Sequence, residues 1–407
     1  MNALFRGDGW GLQDGGEQGR GPEIFFEGEE GSLRAERPEQ VPGVLATLDE
    51  IAASGDPSLL AAGFISYEAG VWLEGSTALA RKHEFLPFAE FSIFKSRRST
   101  VRRPAPPPPV EFPLFTFKEQ ATAERSLSSN DWSIAVESIR DGIARGDVYQ
   151  VNLSSRSRFL GSVDPFALAR ALDADNPVPF AVTLAGAGWA VVSNSPELFL
   201  DVDLAARRVV TKPIKGTIAR APDEEGDARR RAELLASAKD AAENVMIVDL
   251  LRNDLGKVAE PGHVETTTLR ALRSFRHLHH LESAVQARLR PGTGLADVLR
   301  ATLPGGSITG APKRAALRFI HDLEPVARGA YCGAAGFVRG DGRAVFNVAI
   351  RTALVGRDTV DYHAGGGIVW DSQPDAEWSE MESKSREFGA AMAALAARAG
   401  GKVIDGR

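Results

Sequence analysis

The sequence holds a single cysteine, Cys332, among its 407 residues. One thiol cannot close an intrachain disulfide, and no cysteine-based zinc site can be built. Long hydrophobic runs are missing too. No stretch reaches the ~20 apolar residues that span a bilayer, and the N-terminus has no apolar signal core. The expectation is a cytoplasmic protein with no membrane contact. Positive charge is in deficit, with 48 Lys and Arg against 54 Asp and Glu, for a net charge of −6. Charges are interspersed rather than blocked. A nucleic-acid partner, which requires a basic surface, is not expected. No short-period repeat marks a solenoid. What is present is an ordinary soluble composition, 43% hydrophobic and 25% charged, long enough for one large domain or two to three smaller ones.

One break is plain. Arg103-Pro104-Ala105-Pro106-Pro107-Pro108-Pro109-Val110 reads as an extended spacer or exposed loop. The first 25 residues are glycine-rich and read as loose ends. Leu60 to Glu68 reads as a strand ending in a polar turn. After the spacer, Trp132, Val136, Ile139 and Ile143 mark one helix stripe that Gly146 stops. Val148 to Phe159 alternates with period two. Tyr149, Val151 and Leu153 lie on one face; Gln150, Asn152, Ser154 and Arg156 lie on the other. Such a polar face either meets solvent or lines a polar cavity, and solvent is the expectation for the strand alone. Strands and helices mix without strict alternation. The fold class expected is α+β, with large, mostly antiparallel sheets and helices packed outside.

Lys215 stands out chemically. It lies in Thr211-Lys212-Pro213-Ile214-Lys215-Gly216-Thr217, after the apolar strand-like Arg208-Val209-Val210. An amine on a tight turn becomes a nucleophile once it loses its proton in a pocket; an isolated lysine is otherwise a solvated surface group. Asp240 and Glu243 sit three apart, as do Glu377 and Glu380, so each pair shares a helix face. Ser372 and Pro374 suit the start of the second helix. Each pair alone reads as a solvated face that complements the helix dipole. If the two helices met, the carboxylates could hold one divalent cation, and an all-oxygen set suits magnesium. Ala364-Gly365-Gly366-Gly367-Ile368 could bend so that its amides face an oxyanion, or form a plain hairpin turn. Leu303 to Lys313 reads as a Gly-rich loop opening a helix at Pro312, without the ending of a Walker loop. Ala344 to Leu354 reads as one alternating strand with Asn347 and Arg351 on its polar face. Arg351 there suits either a carboxylate clamp or a cross-strand ion pair.

Taken in order, several segments resemble the chorismate-utilising enzymes: Tyr149 to Arg156, Ser195-Pro196-Glu197, Pro213 to Thr217, Glu243-Asn244 through Val248 to Asp254, Gly310-Ala311-Pro312-Lys313, and Ala364 to Gly367. That family includes the anthranilate, aminodeoxychorismate, isochorismate and salicylate synthases. The likeness runs from about Asp131 to Phe388. Before Pro104 it is thin, chiefly Ala62 to Glu68. The resemblance implies the chorismate-binding enzyme fold, a sandwich of α/β/β/α layers. It implies an N-terminal region at 1–103, a linker at 104–118 and a catalytic domain at 119–400. Two positions bear on the branch. The isochorismate and salicylate synthases carry a water-activating lysine where this chain has Gln150, and a neutral amide is no base. The anthranilate synthases carry alanine in place of Lys215. Both positions point to the aminodeoxychorismate synthase component I branch. Anthranilate synthase component I and a non-catalytic binding subunit of the same fold are the alternatives.

By the same resemblance, Lys215 is the nucleophile, Glu197 the proton donor and His280 an aid to the departing hydroxyl. Three histidines compete for that last role, and the run His280-Leu281-Glu282-Ser283 favours His280 over His277 and His279. Magnesium falls to Glu243 and Glu380 directly, with Asp240 and Glu377 acting through water. Gln150, Thr217, Thr309, Gly310, Tyr331, Arg351, Gly365, Gly366, Gly367 and Lys384 are the expected substrate contacts. The implied partners are chorismate, ammonia and a glutamine amidotransferase subunit that supplies the ammonia.

Overall fold

A computed structural model describes residues 1–12, 23–95, 115–117 and 123–398. Among them the strands form two ten-stranded sheets whose neighbouring strands run antiparallel; off the main orders, Phe115–Phe117 and Glu124–Arg125 pair with Gln150–Val163, and Ala259–Ser274 pairs with Leu278–Leu289. The first follows the spatial order Gly310–Ala311, Gln150–Val163, Thr359–Ile368, Thr352–Val355, Trp189–Ser195, Phe180–Gly186, Asn2–Arg6 and Glu23–Phe26. The second follows Ile214–Ala219, Leu278–Leu289, Arg208–Lys212, Leu198–Asp203, Arg343–Val348, Ala334–Arg339, Leu59–Ile65, Ala89–Lys95 and Gly31–Ala35.

Near-continuous apolar runs such as Leu59–Ile65, Phe180–Gly186 and Thr352–Val355 are buried on both faces, so both faces of each sheet need cover. Between the sheets, Leu60, Ala62 and Phe64 pack with Val182, Leu184 and Trp189 in one dry cluster. Phe64 and Trp189 bring the sheets together at 5.3 Å between ring centroids, as do Phe5 and Phe337 at 5.8 Å. Outside, helices complete the layers. Ser129–Ala144, Pro165–Asp175 and Pro374–Arg398 lie on the first sheet, and Val41–Ala52 lies on the second. The expected stripe holds, with Trp132, Val136 and Ile139 buried. Ser128 and Asp131 cap that helix reciprocally, each satisfying an amide that has no partner within the helix. The α/β/β/α sandwich is therefore the observed architecture. Among the described residues no helix is long and apolar enough to cross a membrane.

Four expectations change. The N-terminus is not loose: Asn2–Arg6 pairs with Phe180–Gly186, and Trp10 is buried. Only 13–22 of the glycine-rich stretch lies outside the described residues, as does Pro104–Val110. Strands from before that proline-rich stretch complete both sheets, Asn2–Arg6 in the first and Leu59–Ile65 in the second. The polar face of Gln150–Val163 does not meet solvent, because Gln150, Asn152, Ser154 and Arg156 are all buried. The segment Ala344 to Leu354 is two strands, Arg343–Val348 and Thr352–Val355, in different sheets. Gly365, Gly366 and Gly367 form neither a bend nor a turn. They continue the strand Thr359–Ile368, opposite Ser154, Leu153 and Asn152.

Candidate active site

Two sheet crossovers frame the site. Ser195-Pro196-Glu197 carries the chain from the first sheet to the second; Pro196, which has no amide hydrogen to donate, ends the ladder there. Ala349-Ile350-Arg351 carries it back. The crossovers bond to each other: the Val348 amide donates to the Glu197 carbonyl (3.0 Å), and the Asn194 amide donates to the Arg351 carbonyl (3.1 Å). Arg351 takes φ +50°, a left-handed conformation that is unusual for a residue with a side chain. This kink separates Asn347 from Arg351. The Asn347 amide nitrogen is buried against the Phe180 carbonyl and Ser193 Oγ. Arg351 donates to Glu387 Oε2 at 3.0 Å, an ion pair with a helix rather than across strands.

Glu197 is 4% exposed. Its Oε1 accepts from Ser307 Oγ at 2.8 Å. Burial pushes its pKa up to about 7, against the Ser307 hydrogen bond, Lys215 and the Ile214 amide. Near neutral pH this carboxyl can both hold and release a proton. Lys215 lies in the edge strand Ile214–Ala219. Its charge favours the ionised form of Glu197, Glu243 and Glu380, opposing the burial that pushes each of them up. Three carboxylates from separate parts of the chain thus feel the charge of one amine. The next residue makes the approach possible. Gly216 has φ +85°, and a Cβ there would come within 3.2 Å of the Asp240 side chain. Thr217 faces His280 across the ladder, Oγ1 to Nδ1 at 2.7 Å. Burial, aided by Arg351, lowers His280 to about 3, so its ring is neutral.

The acidic helices approach each other through one lysine side chain. Ala238–Gly256 begins at Ser237, whose hydroxyl accepts from the Asp240 amide at 3.2 Å. Pro374–Arg398 begins at Pro374. Ser372 does not act as a simple cap; it donates to Glu377 Oε1 at 2.7 Å. Lys239 bridges the helices, its Nζ 3.7 Å from Glu377 Oε1 and 4.0 Å from Glu243 Oε1. Burial raises Glu243, opposed by Lys215 and Lys239 and reinforced by Asp240 and Glu377. Burial also pushes Glu380 up, but Lys384, 2.8 Å away, prevails with help from Lys239 and Lys215 and holds it below the ordinary value. Among the described residues no three acidic, histidine or cysteine side chains are already gathered into a metal cluster. The acids stand as two pairs threaded by lysines. Their chemistry fits a hard divalent cation: all-oxygen donors and a carboxylate destabilised by burial and, to a lesser extent, by like charge.

Residues 12–389 match the chorismate binding enzyme family. The chain belongs to that family. It is 40% identical over 281 residues to an anthranilate synthase component 1 from Haloarcula marismortui, covering 69% of this chain and 55% of that protein. It is 41% identical over 269 residues to an aminodeoxychorismate synthase component 1 from Klebsiella aerogenes (66% and 59%). A namesake of the latter from Escherichia coli is 39% identical over 279 residues (68% and 61%). The matches thus span 55% to 61% of the length of these relatives. The crystal structure of anthranilate synthase component I from Streptococcus pneumoniae superposes with a TM-score of 0.73 at 26% identity, over 89% of this chain and 90% of that one. The menaquinone-specific isochorismate synthase from Escherichia coli shares the fold, with a TM-score of 0.72 at 17% identity over 96% and 89%.

The remaining family positions fall into two groups. Gly366 lines the acid site: a Cβ there would lie 3.6 Å from Glu377 Oε2 and 3.7 Å from Lys384 Nζ. Lys384 donates to the Gly365 carbonyl at 2.8 Å. Gly367 leaves room for Gln150, whose Nε2 is 2.3 Å from where a Cβ would sit. Both amide atoms of Gln150 are buried without a partner among the described residues. Gly310 packs on the Gln150 carbonyl. The Thr309 hydroxyl instead turns into its own loop, donating to the Gly305 carbonyl at 2.8 Å. Tyr331 is buried and stacks on His363 at 5.1 Å. His279 is a structural tie, bonded to Ser274 Oγ (2.8 Å) and Asp227 Oδ1 (2.9 Å), and His277 is exposed. Lys313 is likewise tied, to Asp254 at 2.7 Å. Sequence reasoning missed Ser307 and Lys239. The Gly-rich loop and the four-residue spacing to Glu243 were the available signals, but neither reveals a contact between distant elements.

Proposed function

We propose that the chain is component I of aminodeoxychorismate synthase, a transferase that makes 4-amino-4-deoxychorismate from chorismate and ammonia. The observation that carries this reading is Lys215, on an edge strand beside Gly216, which closes on Asp240, with its charge felt by Glu197, Glu243 and Glu380. An amine at that point is wasted on a simple lyase but is suited to covalent catalysis. Gln150 supports it, since a neutral amide cannot activate water.

Chorismate is a dianion, and the acidic helices repel it. Magnesium on Glu243 and Glu380, with Asp240 and Glu377 acting through water, would cancel that repulsion and hold the ring carboxylate. Arg351 takes the enolpyruvyl carboxylate. The Lys215 amine attacks ring carbon C2, both ring double bonds shift along the ring, and the C4–O bond breaks. Glu197 gives its proton to the departing oxygen, which leaves as water. Neutral His280, held by Thr217, serves that departure as a hydrogen-bonding group rather than as a charge. Ammonia then attacks C4, both double bonds return, the C2–N bond breaks to restore Lys215, and the proton lost by the new C4 amine returns to Glu197. The pyruvyl group stays on.

Ammonia is assigned to a glutamine amidotransferase subunit. Cys332, the single thiol, is buried and its pKa is pushed up to about 12 by burial, so it is inert as a glutaminase nucleophile. Mass spectrometry of the product from chorismate, magnesium and ammonium tests the proposal. Aminodeoxychorismate, which loses pyruvate only when a lyase is added, is the expected product. Anthranilate without a lyase would refute it in favour of anthranilate synthase.

A further inference from the structure

We infer that Glu387 is the resident counter-ion of Arg351 and competes with the substrate carboxylate for it, so that Glu387 sets substrate affinity. The inference rests on the reading of Arg351 as the carboxylate holder. Glu377, Glu380, Lys384 and Glu387 follow one another at intervals of three, four and three along Pro374–Arg398. That spacing keeps all four in one stripe of the helix. The first three already face the acid site, through Gly366, Gly365 and Lys239. Glu387 extends the stripe to the crossover and meets Arg351 Nη1 at 3.0 Å.

Both partners are fixed from behind. The neighbouring Phe388 is buried, stacks on Tyr362 with centroids 4.3 Å apart, and meets Phe159 edge-on at 5.6 Å. The Tyr362 hydroxyl donates to the Lys384 carbonyl at 3.4 Å. On the other side, the Asn194 amide pins the Arg351 carbonyl. The two charged tips nevertheless stay reachable, with side chains 20% and 35% exposed. A guanidinium grips a carboxylate best with two parallel N–H groups. Glu387 takes one of them, and its charge opposes an arriving anion. Binding a carboxylate at Arg351 therefore means displacing Glu387 or sharing the guanidinium with it.

The test is a double-variant cycle on the full chain with magnesium and saturating ammonium, reading KM for chorismate against kcat. Glu387→Gln keeps an oxygen that can accept from Arg351 and removes the charge. It is expected to lower KM about two- to fivefold, the range of a partly exposed ion pair, with a smaller change in kcat. The gain should shrink in high salt and vanish in an Arg351→Gln background. An unchanged or raised KM in Glu387→Gln, with Arg351→Gln binding chorismate weakly, overturns the inference and leaves the role of Arg351 standing. An unchanged KM in Arg351→Gln removes the carboxylate holder itself, and the inference falls with it.

Discussion

The proton on Glu197 is the most exacting point to test. Burial lifts this carboxyl from 4.5 to about 7. At ~1.36 kcal/mol per pKa unit, this corresponds to an order of 3 kcal/mol against the charged form. About half of the molecules are then protonated at pH 7, and roughly a tenth at pH 8. The proposed acid step needs the proton, so kcat/KM should fall as pH rises through about 7. The hydrogen bond from Ser307 Oγ, at 2.8 Å, favours the charged form. Ser307→Ala removes a bond to a charged group worth about 1.5–3 kcal/mol. The descending limb should move upward by roughly one to two pH units. The assay is kcat/KM for chorismate against pH at fixed free ammonia, with circular dichroism to confirm the fold. Stability provides a second readout. The native state keeps a proton that the unfolded chain loses above pH 4.5, so this contribution is full below 4.5 and is lost as pH rises to about 7. Glu197→Gln should flatten the stability profile across that window. A limb unmoved in a folded Ser307→Ala protein would refute the assignment of Glu197 as the acid.

Three further outcomes follow from the geometry. Lys215→Ala should cut turnover by at least about a hundredfold, and intact-protein mass spectrometry should lose any substrate adduct; wild-type turnover would end the covalent proposal. Lys239→Met removes the ammonium that bridges Glu243 and Glu377, so manganese should bind more tightly when titrated by electron paramagnetic resonance, whereas weaker binding would mean that Lys239 assembles the site. Gly365→Ala places a Cβ 2.1 Å from the Leu153 carbonyl oxygen. Urea unfolding should show a loss of about 1–3 kcal/mol, and an unchanged midpoint would contradict the strand pairing.

Local order proved legible where spacing has one physical meaning. Trp132, Val136 and Ile139 could share a face only in a helix, and they do. Asp240 with Glu243, and Glu377 with Glu380, are likewise helix neighbours. The motif order also placed the chain in its family. Burial was not legible in the same way. Alternation in Gln150–Val163 reveals two faces but not which neighbour covers the polar one. The Gly365-Gly366-Gly367 run illustrates the same limit: glycine permits a bend, and here its missing Cβ instead lets strands and Gln150 close in.

Chain order by itself determined the strand Gln150–Val163, the acid pairs on their helix faces and the lysine beside a glycine, because these depend on near neighbours and on period. Only tertiary packing decided that Glu197 and Arg351 sit on adjoining crossovers, that Lys239 joins two helices more than a hundred positions apart, and that Ser307 meets the buried Glu197. Such contacts link residues far apart in the chain, and no local pattern records which distant partner will arrive.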